Sequence, residues 1–185
     1  MSSGRPLTIH KLLIYYVYGV VSFTLVFSLA DGATNKFYHR IWSKKTYEEK
    51  MKLLSLLFLH NIVFFTLYFT SFYIIWGFMR NLYRKQSDIL EFCMVICIYI
   101  LYTVGTLYHW KSNNDRCELT VIQNRLLEIE EGYAFRDWIS ILTNNYPKLS
   151  KGSDSNFRSR LFHIALIFNI ATSLFILLSL APKLF

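Results

Sequence analysis

Apolar residues run through four stretches of the chain, 12–30, 53–79, 89–110 and 161–182, with almost no charged interruption. Each is about as long as the roughly 20 residues a helix needs to cross a bilayer core. None alternates apolar and polar positions as a barrel strand does. In lipid every backbone N–H and C=O must be satisfied within its own segment, so each stretch predicts a helix. The chain reads as an all-α, polytopic membrane protein: transmembrane helices at 53–79, 89–110 and 161–182, preceded by an apolar segment at 12–30 that spans or re-enters. The stretch at 53–79 is the clearest, because its polar positions are only His60, Asn61 and scattered hydroxyls. Trp76 and Arg80 close it as interface anchors. A chain of 185 residues cannot bury four such helices in a soluble core.

The first stretch follows Arg5 and Lys11, and Ser28-Leu29-Ala30 has the small-x-small form of a signal-peptidase site. Against cleavage stand the tyrosines at 15, 16 and 18 and the basic block Lys36, Arg40, Lys44, Lys45, Lys50 and Lys52, which a cleaved leader would leave on the wrong side of the membrane. Gly19 and Ser22 divide the segment, as a partial or tilted insertion would allow. The connection 111–160 is the one soluble-looking piece. Leu119, Ile122, Leu126 and Ile129 recur at helical spacing among Arg116, Glu118, Arg125, Glu128, Glu130 and Glu131, which predicts an amphipathic helix prolonging the third stretch into the cytoplasm. Phe135, Trp138, Ile139 and Leu142 predict a short second one, ended by Asn144-Asn145-Tyr146-Pro147 and a polar link at 150–156.

Charge changes this picture by giving it a direction. The formal net charge is +8, although only 17% of residues are charged and 54% are apolar. A basic chain can serve nucleic acid, an anionic membrane surface, or membrane orientation. Fourteen of the twenty Lys and Arg fall in 31–52 and 110–160, which places those two connections in the cytoplasm and the turn near Arg84 outside. If 12–30 re-enters, Arg5 and Lys11 join the cytoplasmic set. No basic stripe is interleaved with stacking aromatics, so nucleic acid is not an expected partner and the lipid bilayer is. Lys44, Lys45, Lys50 and Lys52 can also attract anionic cytoplasmic lipids.

Candidate chemistry is sparse. Cys93, Cys97 and Cys117 make no disulfide framework, and no zinc spacing, P-loop, dinucleotide fingerprint or nucleophile elbow is present. No enzyme activity, cofactor or metal is expected. An intramembrane enzyme using His60, His109 or His163 with Glu91 would have to assemble its site from separate segments. Glu91, a carboxylate one turn inside an apolar run, either faces a bundle interior or marks the outer interface with Asp88. His60 and Asn61 either line a polar cavity or meet headgroups. Asn169, at mid-membrane, suits an interhelical hydrogen bond or a ligand. The aromatic run Phe64, Phe65, Tyr68, Phe69, Phe72, Tyr73 and Trp76 suits a small organic molecule or lipid contact.

The layout resembles a known family. The segment Leu12-Leu13-Ile14-Tyr15-Tyr16-Val17-Tyr18-Gly19, the basic stretch from Lys36 to Lys52, two spans, then His109-Trp110-Lys111 and Asn124-Arg125-Leu126-Leu127-Glu128-Ile129-Glu130 are similar to the N-terminal half of an insect gustatory receptor. The resemblance implies a plasma-membrane, multi-pass chemosensory receptor, from a family of tetrameric ligand-gated cation channels, with a small-molecule ligand and other receptor subunits as partners. It implies an outward-facing pocket, whose candidates here are Tyr73, Trp76 and Glu91, with Asn169 from the last span. The family's C-terminal signature of Thr-Tyr, five apolar residues and Gln-Phe is missing, since Thr46-Tyr47 is followed by Glu48-Glu49. A chain without that pore helix is expected not to conduct alone, and is read as a truncated receptor or a piece that works beside other subunits. The competing expectation is a small accessory or structural subunit of another membrane complex.

Overall fold

The computed structural model describes residues 8–83, 85–113, 117–129, 141 and 153–184, with the backbone alone for 153–160. The elements are α1 (Ile9–Thr34), α2 (Lys36–Trp42), α3 (Tyr47–Met79), α4 (Gln86–Ser112), α5 (Glu118–Leu126) and α6 (Ser153–Leu180), followed by a 3-10 turn at Ala181–Lys183. No strand occurs among the described residues. Helices α1, α3, α4 and α6 each hold a stretch long and apolar enough to cross a membrane. The protein is an all-α polytopic membrane protein.

Local sequence explains where the helices start. Thr8 opens α1 by accepting from Lys11 N at 3.4 Å. Thr46 opens α3 with a reciprocal capping box: its hydroxyl accepts from Glu49 N at 3.3 Å, and Glu49 Oε2 accepts from Thr46 N at 2.9 Å. Thr46-Tyr47 is therefore a helix start. Asp88 performs the return half of the same device for α4, accepting from Lys85 N at 3.1 Å.

Helices α1 and α3 form an antiparallel hairpin in contact along the whole of α1. Ile9 lies by Gly77, Tyr16 by Tyr73 with ring centres 5.9 Å apart, Phe23 by Phe69 at 5.1 Å, and Gly32 by Leu57. Gly19 and Ser22 sit within one unbroken helix, so they do not divide the segment as the sequence suggested. A Cβ on Gly19 would come within 2.7 Å of the Phe69 ring, so glycine here permits close approach. The 26 residues of α1 rise about 39 Å, more than the roughly 30 Å of a hydrocarbon core. The helix is thus long enough to cross a membrane.

Helix α4 packs antiparallel to the second half of α3 through a tyrosine ladder. Tyr99 donates to the Leu67 carbonyl at 3.1 Å and also bonds the Ser71 hydroxyl, while Tyr102 donates to the Val63 carbonyl at 3.3 Å. These phenols satisfy their own polar ends where lipid offers no partner. Phe92 is fully buried between Tyr73, Tyr83 and Gly77. Helix α6 returns along α4, with Trp110 against Phe162 at 4.4 Å at one end and Gln86 Nε2 donating to the Leu184 carbonyl at 2.8 Å at the other. Residues 8–11, 76–83, 85–91 and 180–184 thus share one end of the bundle. Residues 31–54, 109–113 and 117–129 share the opposite, basic end.

Two sequence expectations change in the 111–160 connection. Helix α4 stops at Ser112 and α5 starts anew at Glu118, stapled by Asn113 Nδ2 donating to Glu118 Oε2 at 3.1 Å, so α5 does not prolong α4. It also ends at Leu126, before Glu128 with its φ of 53°. Its buried face is Thr120, Gln123 and the following Leu127, one position round from the apolar stripe, which leaves Ile122 37% exposed. The reason is that α5 docks onto polar groups of α2 and α3. The expected second amphipathic helix around Phe135, Trp138, Ile139 and Leu142 lies outside the described residues apart from position 141, as does the link as far as 152, whereas 153–156, expected to belong to that polar link, form the first turn of α6.

Candidate functional site

The residues proposed from sequence for an outward pocket fall into two groups. Tyr73 is 5% exposed, its ring wedged between Tyr16 and Phe92, so it is part of the core. Trp76 is half-buried, stacked on Phe72 at 5.7 Å, and lies under the Arg80 guanidinium 4.8 Å from its ring centre. The two interface anchors thus meet as a cation–π pair. The Glu91 side chain is 54% exposed, and its Oε2 is 3.9 Å from Nδ1 of His10, whose Nε2 is 3.9 Å from Asp88. His10, on α1, therefore stands beside the acidic start of α4. These three candidates share one end of the bundle.

Asn169 does not join them. The pairing of Trp110 with Phe162 sets it level with Thr103 on α4, twelve residues from Glu91, about 18 Å along the helix. It is half-buried and makes no hydrogen bond among the described residues, so the interhelical bond suggested by its position is not formed there. The histidines are also apart from Glu91. His60 and His163 are buried in the basic half of the bundle, His163 edge-on to Trp110 at 6.3 Å, while Glu91 is at the other end.

The polar centre of the molecule gathers His60 and Asn61, which the sequence offered for a polar cavity, with buried polar groups of α1, α2 and α5 that it did not single out. At the basic end of α1, Ser28, Asp31 and Asn35 are buried on successive turns of one face. Asn61 on α3 donates through Nδ2 to Ser28 Oγ at 3.0 Å and to its own Leu57 carbonyl at 3.1 Å. Asn35 Nδ2 donates to Asp31 Oδ1 at 3.1 Å, and Asn35 Oδ1 accepts from Phe37 N at 3.1 Å, turning the chain from α1 into α2. Gln123 of α5 donates through Nε2 to the Tyr38 hydroxyl at 2.6 Å, and Thr120 Oγ1 sits 3.4 Å from His60 Nε2. Burial, reinforced by the negative charge of Asp31, pushes the Tyr38 phenol well above its ordinary range, so it stays a neutral hydroxyl. His60 and Asn61 belong to this seam and do not line an open cavity. Besides His60 and Asn61, its signal in the sequence was Ser28, Asp31 and Asn35, polar residues on a single helical face at the end of an apolar run.

A salt-bridged latch sits beside the seam. Lys45 Nζ is 2.6 Å from Glu128 Oε1 and 3.5 Å from Glu49 Oε1, which joins the start of α3 to the turn after α5. Next to it a groove of about 410 Å³ opens between α2 and that turn, lined by Phe37, Arg40, Ile41, Lys44 and 127–129.

No family model, curated protein or solved structure matches this chain. The site must be read from its own chemistry. Among the described residues no group of three or more His, Cys, Asp or Glu side chains is arranged to hold a metal ion. Cys93 is buried, Cys97 exposed and Cys117 half-buried, all as free thiols. The arrangement offers hydrogen bonding that fixes helices to one another, a basic surface at one end, and an aromatic and acidic rim at the other.

Proposed function

We propose that the chain is a subunit of a chemosensory receptor of the gustatory type, oriented with its basic end in the cytoplasm and its Trp76–Glu91 end outside. The observation that supports this reading most is the rim itself. Trp76, Glu91 and His10 come from three helices and lie at the same end of the bundle, the one with few basic residues, where an aromatic face and a carboxylate can receive a small polar organic molecule. Tyr73 supports the rim from beneath through its contacts with Tyr16 and Phe92. Neighbouring subunits would complete the pocket and supply the pore. Coexpression with pore-bearing receptor subunits, read as ligand-evoked cation current at the plasma membrane, tests this. Glu91→Gln should raise the half-maximal ligand concentration about tenfold, the scale of one lost charge-assisted contact. A current indifferent to both Glu91→Gln and Trp76→Ala rejects the reading.

A second reading, an accessory subunit that packs against another membrane complex, is favoured by the core position of Tyr73 and by the apolar outer surface. Tyr18, Val26, Ile98, Leu101, Phe175 and Leu178 are all exposed, on three different helices. Stoichiometric co-purification of a channel or transporter, without a response to tastants, selects it.

A further inference from the structure

The groove between α2 and the turn after α5 has two kinds of wall. Ile41 and Leu127 form a buried apolar floor, and Phe37 and Ile129 half-buried apolar sides. Arg40 and Lys44 stand one turn apart on the same side, both exposed, with no ion pair among the described residues. Glu128, also at the groove, is held by Lys45 at 2.6 Å, which it shares with Glu49 at 3.5 Å, and it also feels the charge of Lys44; with Arg40 and Lys44 the group keeps a net positive charge.

The apolar stretch of α1 ends at Ala30 and that of α3 begins at Leu53, and the groove's α2 wall comes between them, so with both helices crossing the bilayer it would lie at headgroup level. Trp42 stands beside it with the Lys50 ammonium 5.6 Å from its ring centre, as expected of an aromatic belt residue. A ligand suited to this place has a negative head for Arg40 and Lys44 and an apolar body for Phe37 and Ile129.

We propose that the groove is a binding site for an anionic phospholipid, its phosphate held by Arg40 and Lys44 and its glycerol and upper acyl region lying on Phe37 and Ile129. Free phosphate would satisfy the cations and leave the apolar walls unused. The site is independent of the receptor reading, since it lies at the opposite end of the bundle from Trp76 and Glu91.

Native mass spectrometry of the full chain in uncharged detergent tests it, with phosphatidylserine, phosphatidylcholine and inorganic phosphate as probes. Phosphatidylserine should be retained well above phosphatidylcholine, and phosphate should bind weakly. Arg40→Gln with Lys44→Gln should weaken phosphatidylserine about 25-fold, roughly fivefold per basic contact. Lys85→Gln with Lys183→Gln removes the same charge at the far end and should change it less than twofold. Ile129→Ser should weaken the lipid but not phosphate. Retention unchanged in the Arg40 and Lys44 variant, an equal loss in the far-end variant, or phosphate bound as tightly as the lipid would each overturn the proposal. Arg40 and Lys44 are exposed, so an unchanged thermal midpoint without lipid should show that the variant folds.

Discussion

Gly19 and Gly105 show how one residue type means different things in two helices. A Cβ at Gly19 meets the Phe69 ring at 2.7 Å, whereas one at Gly105 meets nothing within 4 Å. Gly19→Val should therefore pry α1 from α3 and cost about 1–3 kcal/mol, the usual scale of overpacking. Gly105→Ala should not lower the thermal midpoint and should raise it modestly, through up to about 1 kcal/mol of helix propensity. Unfolding in mixed micelles measures both, and equal effects would contradict the hairpin packing. The Asn61–Ser28 bond is the other residue-scale test. A double-mutant cycle with Asn61→Ala and Ser28→Ala should give a coupling of about 0.6 kcal/mol, typical of a hydrogen bond between membrane helices. Neither pairing was legible in sequence. Glycine is common in membrane helices, and nothing local says which helix face will meet which neighbour.

At the scale of elements, α5 is the least expected piece. Its apolar stripe pointed to one docking face, yet Thr120 and Gln123 are buried, because Tyr38 and His60 present polar groups where α5 lands. Gln123→Ala should speed amide exchange across 118–126 about fivefold, the effect of roughly 1 kcal/mol from one hydrogen bond, and leave α3 and α4 unchanged. The Lys45–Glu128 latch should make the same docking pH-dependent. The hydrogen bond from Lys45 holds the Glu128 carboxyl below its usual range, and the same bond holds the Lys45 ammonium above its own. A lowered carboxyl contributes stability above its unfolded value of about 4.3, and that contribution is lost as pH falls through the lower folded value. A raised ammonium contributes below about 10.4, lost as pH rises through the higher folded value. The latch's contribution to the protection of α5 should thus be level between those limits and fall below about pH 4. In Glu128→Gln that contribution should be lost, leaving a smaller step at acid pH than in the parent chain.

For the whole molecule the consequence of an unbroken α1 is a fixed relation between the chain's parts. Residues 8–11, 80–83, 85–87 and the end of α6 lie together, and residues 31–52, 109–113 and 117–129 lie opposite. With the basic end in the cytoplasm, a glycosylation acceptor on a spacer inserted at 81–83 should be modified. One inserted at 43–45 should not. The reverse pattern would invert the molecule and move Trp76 and Glu91 away from external ligands.

The sequence by itself determined the class, the four long helices and the ends where charge accumulates. Those depend on local quantities: run length, hydropathy, capping residues such as Thr46 with Glu49, and the cost of unpaired backbone in lipid. Tertiary structure alone decided that α1 is continuous alongside α3, that Tyr73 is core and Asn169 stands apart from Trp76 and Glu91, and that Ser28, Asp31, Asn35, Asn61 and Gln123 lie buried in one region. These depend on which faces meet. Inside a membrane apolar faces are nearly interchangeable, because lipid is as apolar as the neighbouring helix, so packing shape and scattered polar groups set the arrangement.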